Sequence, residues 1–484
     1  MSRPDSVPSP IAVRDGIPPG DTDDLEFLTG REWAPGSFAR PEVQAFLARR
    51  GSRPDLVAGR VIPNPSRLAP TGEEPGALGI TCPTGGSGFF ETEESDAPVI
   101  ALVHSLLEGA VRRRASDVHF EPLAGRFRVR YRIDGALVEA GDPPRRLQSA
   151  ILSRLKIMAG LSIAERRAAQ DGRCRVDLAT GPVDVRVSAL PTVHGESLAL
   201  RLLDREELRS GTAELGLGED DAARFDRMLA RPDGLIVVTG PTGSGKTTTL
   251  YGCLKRFNQP GTKVITVEDP VEYQLTGVNQ VQVKPAIGLT FAASLRAMLR
   301  QAPNVIMIGE IRDVETAAIA LNAAQTGHLV LSTLHTNDAT GAITRLLEMG
   351  LPPFLVAGSL RGVLSQRLVR RVCPACARPA TPPTHELAAL GLDPASPALT
   401  GCRQGAGCPD CSGTGFRGRV GLFELLEVDA ALQEIIHRRA GRAELESRAA
   451  SQAHGTIRQD GARKVTRGLT TAAEVVSILG SGES

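Results

Sequence analysis

One stretch brings together residues able to bind and cleave a phosphoanhydride. Gly234 to Lys246 reads GLIVVTGPTGSGK and runs on into Thr247, Thr248 and Thr249. Gly240, Gly245, Lys246 and Thr247 satisfy the pattern G-x-x-x-x-G-K-[ST]. The nine residues Gly240, Pro241, Thr242, Gly243, Ser244, Gly245, Lys246, Thr247 and Thr248 form the expected nucleotide-binding segment. Glycines let backbone N–H groups turn inward around a phosphate, and a helix N-terminus adds partial positive charge beneath it. Lys246 has the length to reach the β- and γ-phosphates, and the Thr247 hydroxyl suits Mg²⁺. An apolar run must precede the loop and a helix must follow it. LIVV and TTTLYGCLKRF supply both.

Hydrolysis also needs carboxylates, one on the metal side and one on the attacking water. VITVEDPVEY places Glu268, Asp269 and Glu272 just past one apolar run, and VIMIGEIRD places Glu310, Arg312 and Asp313 just past another. In open α/β sheets ligands bind beyond the carboxyl ends of the strands, where a phosphate loop also lies. Glu268 is assigned to the water and Glu310 to the metal side. TGHLVLSTLHTND sets His328 and His335 on either side of a third run. Without a third ligand, sensing of the γ-phosphate is a better role for them than metal binding.

A second chemistry lies in the cysteines. VCPAC supplies Cys373 and Cys376, and GCPDC supplies Cys408 and Cys411. Two C-x-x-C knuckles about thirty residues apart suit a closed tetrahedral Zn²⁺ site that folds a loop-rich insert. Cys402 lies close enough in sequence to compete as a ligand, whereas Cys82, Cys174 and Cys253 have no partner at ligand spacing.

These groups need a scaffold. The short runs LIVV (235–238), VITV (264–267), VIMI (305–308) and LVLS (329–332) lack polar alternation, as parallel strands buried on both faces do. Helical patterns separate most of them, which predicts a RecA-like α/β domain over 220–372. Before it, 97–205 reads as a smaller α+β domain, joined by a polar linker at 206–219. In RFRVRYRIDG, Phe127, Val129, Tyr131 and Ile133 alternate with arginines, so one strand face is apolar. The cationic face has two readings, a surface for a nucleotide or a neighbouring subunit and an ordinary solvated face. Residues 373–415 form the zinc insert, and 416–484 a C-terminal helical subdomain. Residues 1–88 are rich in proline and glycine and read as an extended arm or as a small docking module.

The 484 residues allow about three domains. The 56 basic and 55 acidic residues nearly cancel, and aromatics are only 4%. Neither supports direct binding of nucleic acid, so a nucleic-acid motor is the weaker alternative class. A scaffold that binds nucleotide without turnover is weaker still, since the catalytic groups are all present. No secretory signal and no membrane-spanning run is expected.

GPTGSGKTTT, TVEDPVEY, GEIRD and TGHLVLSTLHTND, in that order, resemble the secretion ATPase superfamily of type II secretion and type IV pilus assembly. Upstream, SDVHFEP (116–122), RYRIDG (130–135), ERRAAQDGR (165–173) and VRVSALPTVHGES (185–197) are similar to that family's second N-terminal domain. The resemblance implies a homo-hexameric ATP hydrolase using ATP, Mg²⁺ and structural Zn²⁺. It would be cytoplasmic and peripheral to the inner membrane, which it would meet only through platform proteins of the machine. It also implies that arginines of the second N-terminal domain complete the site, here Arg186 and Arg201. Ala169 and Ser197 depart from the family's usual proline and arginine. The tetracysteine insert argues against retraction ATPases. The short arm favours type II secretion over pilus extension, the alternative.

Overall fold

The computed structural model describes residues 97–203, 215–452 and 455–480. The expectation for residues 1–88 lies outside them, as does much of the linker. The chain divides into two compact units, on either side of residues 204 and 205.

The first unit is a six-stranded antiparallel sheet in the order β3-β2-β1-β6-β5-β4. Its strands are β1 (Ala115–Pro122), β2 (Phe127–Ile133), β3 (Ala136–Gly141), β4 (Gln170–Leu178), β5 (Gly181–Thr192) and β6 (Gly195–Leu203). Helices Ala97–Arg112 and Gln148–Met158 pack Val103, Leu107, Ile151 and Leu155 against Val118, Phe120, Val129, Val187 and Leu200 in one core. The Asp134–Gly135 turn has φ of 50° and 89°, the double positive φ of a tight hairpin.

The period-2 pattern of β2 buries Phe127, Val129 and Tyr131. Its other face is not a bare cationic surface. Arg128 Nε and Arg130 Nη2 donate to Glu121 at 3.0 and 2.6 Å, and Arg126 pairs with Glu139 and Asp142. Cross-strand carboxylates thus neutralise the arginine row. Beneath the sheet a buried Lys156 donates to Glu196 Oε1 at 2.6 Å and to the Glu165 carbonyl at 2.8 Å.

The second unit carries a seven-stranded sheet ordered β15-β12-β7-β11-β10-β8-β9. These are β7 (Gly234–Thr239), β8 (Val264–Glu268), β9 (Asn279–Gln282), β10 (Val305–Ile308), β11 (Leu329–Leu334), β12 (Leu360–Val372) and β15 (Phe416–Glu427). All neighbours run parallel except β12 and β15. The four apolar runs become β7, β8, β10 and β11, and every residue in them is buried. Separate cores on the two faces explain the missing alternation. Ile306, Val330, Leu321 and Ile343 belong to one, and Ile236, Leu331, Leu250 and Phe225 to the other.

The antiparallel ribbon β12–β15 carries the cysteine insert at its tip, with β13 (Ala377–Pro379), helix Thr384–Leu390 and β14 (Arg403–Gly405). Helices Ala430–His437, Arg442–Ser451, Ile457–Thr466 and Ala472–Leu479 follow. Asp460, buried in this tail, accepts from the Phe423 N–H at 2.9 Å and from Lys464 Nζ at 2.5 Å, which ties the tail to β15.

Candidate active site and metal centre

β7 ends at Thr239, and the chain turns at once into the loop. Thr239 shares a 2.7 Å hydrogen bond with Thr336 Oγ1, joining the ends of β7 and β11. Gly240 has φ 146°, and Gly245, which caps helix Lys246–Phe257, has φ 85°. A side chain fits at neither position. A Cβ on Gly240 would lie 2.3 Å from the Gln366 carbonyl oxygen, and one on Gly245 would lie 2.8 Å from Gln366 Nε2. Pro241, Thr242 and Gly243 are exposed at the crest, Ser244 is buried, and Thr247 and Thr248 are exposed in the first helical turn.

Lys246 Nζ donates to the Gly240 and Pro241 carbonyls, each at 2.9 Å. Burial lowers its pKa, the Glu310 charge opposes that shift, and Arg367 adds to it. An ammonium held against loop carbonyls in a partly dry site is poised to exchange them for phosphate oxygens.

Glu310 follows β10 on this same side. Its Oε1 accepts from Arg312 Nη2 at 2.5 Å, and its Oε2 lies 3.2 Å from His335 Nε2. Burial pushes the carboxyl's pKa up. The hydrogen bonds and charges of Arg312 and His335 outweigh it and hold the group below the usual carboxylate range. Arg312 Nη1 also stands 3.7 Å from Asp269 Oδ2. Glu272 is half-buried in the turn beyond β8.

Glu268 sits differently. It is 2% exposed, and its carboxylate accepts from Thr266 Oγ1 at 2.5 Å, from Gln280 Nε2 at 3.1 Å and from the Tyr251 hydroxyl. These donors fix its direction. Neither Tyr251 nor Gln280 carries a motif that marks it in sequence, and their role emerges only from packing.

His335 and His328 part company. The sequence motif suggests both at the nucleotide, but two residues that flank one strand stand at its opposite ends. β11 is six residues long at about 3.3 Å each. His335 lies on the loop side, whereas His328 precedes β11, where its carbonyl accepts from Gly234 N at the start of β7. Its Nδ1 lies 3.0 Å from the Ala323 carbonyl, closing the last turn of helix Val314–Gln325. The strand's length thus removes His328 from its own chain's phosphate loop.

Arg186 and Arg201 lie in the first unit, on β5 and β6, on the sheet face away from its helices. Arg201 Nε is 3.1 Å from Asp117 Oδ1.

The four cysteines of the two knuckles converge, with all Sγ atoms within 4.8 Å of one another. The Cys373–Cys408, Cys376–Cys411 and Cys408–Cys411 separations are 3.8, 3.9 and 3.7 Å. Four thiolates about 2.3 Å from a tetrahedral ion would stand roughly 3.8 Å apart, so the donor set fits such a metal. Burial pushes the Cys411 thiol up, but the N–H groups of Cys408 and Gly415, each 3.2 Å from its Sγ, bring it down to about 6. Cys402 is excluded as a ligand, because it is buried in an apolar cluster with Leu390, Leu422 and Ile457. Among the described residues, no helix is long and apolar enough to cross a membrane.

The family model described as "Type II/IV secretion system protein" matches residues 92–477. The type II secretion system protein E of Pseudomonas aeruginosa is 48% identical over 386 residues, which is 80% of this chain and 76% of that protein. The type IV pilus assembly ATPase PilB of Myxococcus xanthus is 45% identical over 460 residues, 94% of this chain and 79% of that protein. Among solved structures, the pilus retraction motor PilT with bound ADP is similar at a TM-score of 0.54 and 27% identity. The likeness covers 78% of this chain and 96% of that one.

Proposed function

The chain belongs to the type II/IV secretion system protein family, and from that premise we propose that it is a hexameric Mg²⁺-ATPase that drives pseudopilus assembly and protein export in type II secretion. The observation that carries this reading is the convergence of Lys246, Glu310 and His335 at the carboxyl ends of β7, β10 and β11. That is where an open α/β sheet binds its ligand.

Gly240 to Thr248 would cradle the phosphates, with Lys246 on the β- and γ-oxygens. Thr247 and, from the metal side, Glu310 would hold Mg²⁺, which neutralises phosphate charge. Glu268, aimed by its three donors, would orient the attacking water. Asp269, Glu272 and Arg312 would shape the rim, and His335 would report the γ-phosphate through Glu310. Arg186 and Arg201 would add positive charge to the site in the assembled hexamer. The four cysteines would hold a structural Zn²⁺, with no part in the chemistry. The protein would work in the cytoplasm, at the inner membrane, through platform proteins of the machine.

Pilus extension is the second reading, favoured by the longer stretch over which the Myxococcus protein aligns. Replacing the native chain in its host with Lys246→Ala separates the two. Loss of secreted enzyme with surface pili intact supports the secretion motor, and the reverse outcome supports pilus extension. If purified wild-type protein shows no Mg²⁺-dependent ATP turnover, both readings fail.

A further inference from the structure

Gln366 is a polar residue at the buried centre of the long strand β12, in the run VLSQRLV. It is 3% exposed. A buried amide must have its donors and acceptors met, and this one spends both ends on the segment that follows β7. Nε2 donates to the Ser244 carbonyl at 2.7 Å, and Oε1 accepts from Thr249 Oγ1 at 2.7 Å. The register explains the meeting. β12 pairs with β7 up to Ser365 opposite Thr239, so Gln366 is the next residue along, beside Gly240 where the loop begins.

Each bond has a consequence for the phosphate side. In a trans peptide the C=O and N–H point in opposite directions. Drawing the Ser244 carbonyl toward β12 therefore turns the Gly245 N–H away from β12 and outward. The bond to Thr249 fixes the rotation of the first helical turn. With Thr249 wholly buried against Gln366, Thr247, two residues and about 200° earlier, faces solvent. The third threonine of KTTT thus has a partner and a purpose that the phosphate-loop pattern does not contain.

We propose that Gln366 is a positioning residue for the triphosphate. From a strand 122 residues downstream of Ser244, it holds the 244–245 peptide and the first helical turn in the orientation that phosphate binding requires. It touches no reacting atom. The proposal rests on the ATPase reading.

The test uses the full-length chain with MgATP as the probe. Gln366→Met keeps the length and loses the amide, Thr249→Val loses only the hydroxyl, and Thr249→Ser keeps it. KM, kcat and the thermal midpoint are measured for each. Gln366→Met and Thr249→Val are expected to raise KM about tenfold, with kcat at saturation within twofold of wild type and the midpoint lowered by a few degrees as buried hydrogen bonds are lost. Thr249→Ser is expected to match wild type. A folded Gln366→Met with wild-type KM overturns the proposal, as does a Thr249→Ser that behaves like Thr249→Val. If Gln366→Met does not fold, the threonine pair decides. A wild-type chain that does not turn over ATP overturns the ATPase reading and this proposal with it. An active wild type with unaltered variants overturns this proposal alone.

Discussion

Arg186 and Arg201 stand directly opposite one another across the antiparallel pair β5–β6. Like charges at paired positions repel, and Asp117, itself opposite Arg201 on β1, offsets part of that cost. A sheet that tolerates two facing guanidiniums presents a compact patch of positive charge. If that patch serves the γ-phosphate, Arg186→Ala and Arg201→Ala should each lower kcat by about 10³-fold. The thermal midpoint of Arg201→Ala should stay within a few degrees of wild type, because the repulsion from Arg186 and the 3.1 Å pair to Asp117 are removed together. Steady-state ATPase assays and calorimetry check this. Wild-type turnover in both variants would remove the arginines from the site.

The cysteine cluster predicts one tightly held metal ion per chain. Elemental analysis of the purified protein should find zinc at that ratio, and Cys373→Ser or Cys411→Ser should lose it. The region between the knuckles should then become protease-sensitive, since its own strands β13 and β14 are only three residues each. Cys402→Ser should keep its metal. Loss of zinc in that variant would refute the ligand set.

Tyr251 offers a test of Glu268. Tyr251→Phe removes one of three donors from a buried carboxylate and leaves the ring's packing intact. Stability should fall by about 1–2 kcal/mol. Kinetically, if Glu268 orients the attacking water as proposed, kcat should drop severalfold with KM little changed, because the carboxylate loses one of the donors that aim it. A change confined to KM would mean that Glu268 serves binding instead.

Glu424 predicts a pH dependence. Burial raises its pKa, the Ala339 N–H lowers it, and Asp338 adds to the rise. Its folded pKa therefore lies above its unfolded one. Between those two values the unfolded state is ionised while the folded state still holds its proton, so stability falls as pH rises through that window. The penalty is fully present above the folded pKa and absent below the unfolded one. Glu424→Gln, which keeps an oxygen for the Ala339 N–H, should raise the thermal midpoint by about 2 °C at neutral pH and leave it unchanged near pH 3. An equal shift at both values would rule out the ionisation account.

Much of this protein is legible in local residue spacing. The run from Gly234 to Lys246 specifies strand, loop and helix, because only glycine suits the positive φ at Gly240 and Gly245. Four unalternated runs specify strands covered on both faces, and two C-x-x-C knuckles specify a four-sulfur cluster, since local spacing carries each signal. Tertiary structure decided the rest. Strand length separated His328 from His335, and β12 brought Gln366 to Ser244 and Thr249. Cross-strand acids neutralised the arginine row of β2, and Cys402 went into an apolar cluster. Glu268 and Glu310, both acids at strand ends, received different surroundings from Tyr251 and Gln280 on one side and Arg312 and His335 on the other. Each of these outcomes depends on which distant segment packs alongside. Residue spacing along the chain carries no record of that, because register and packing are set when the sheet assembles.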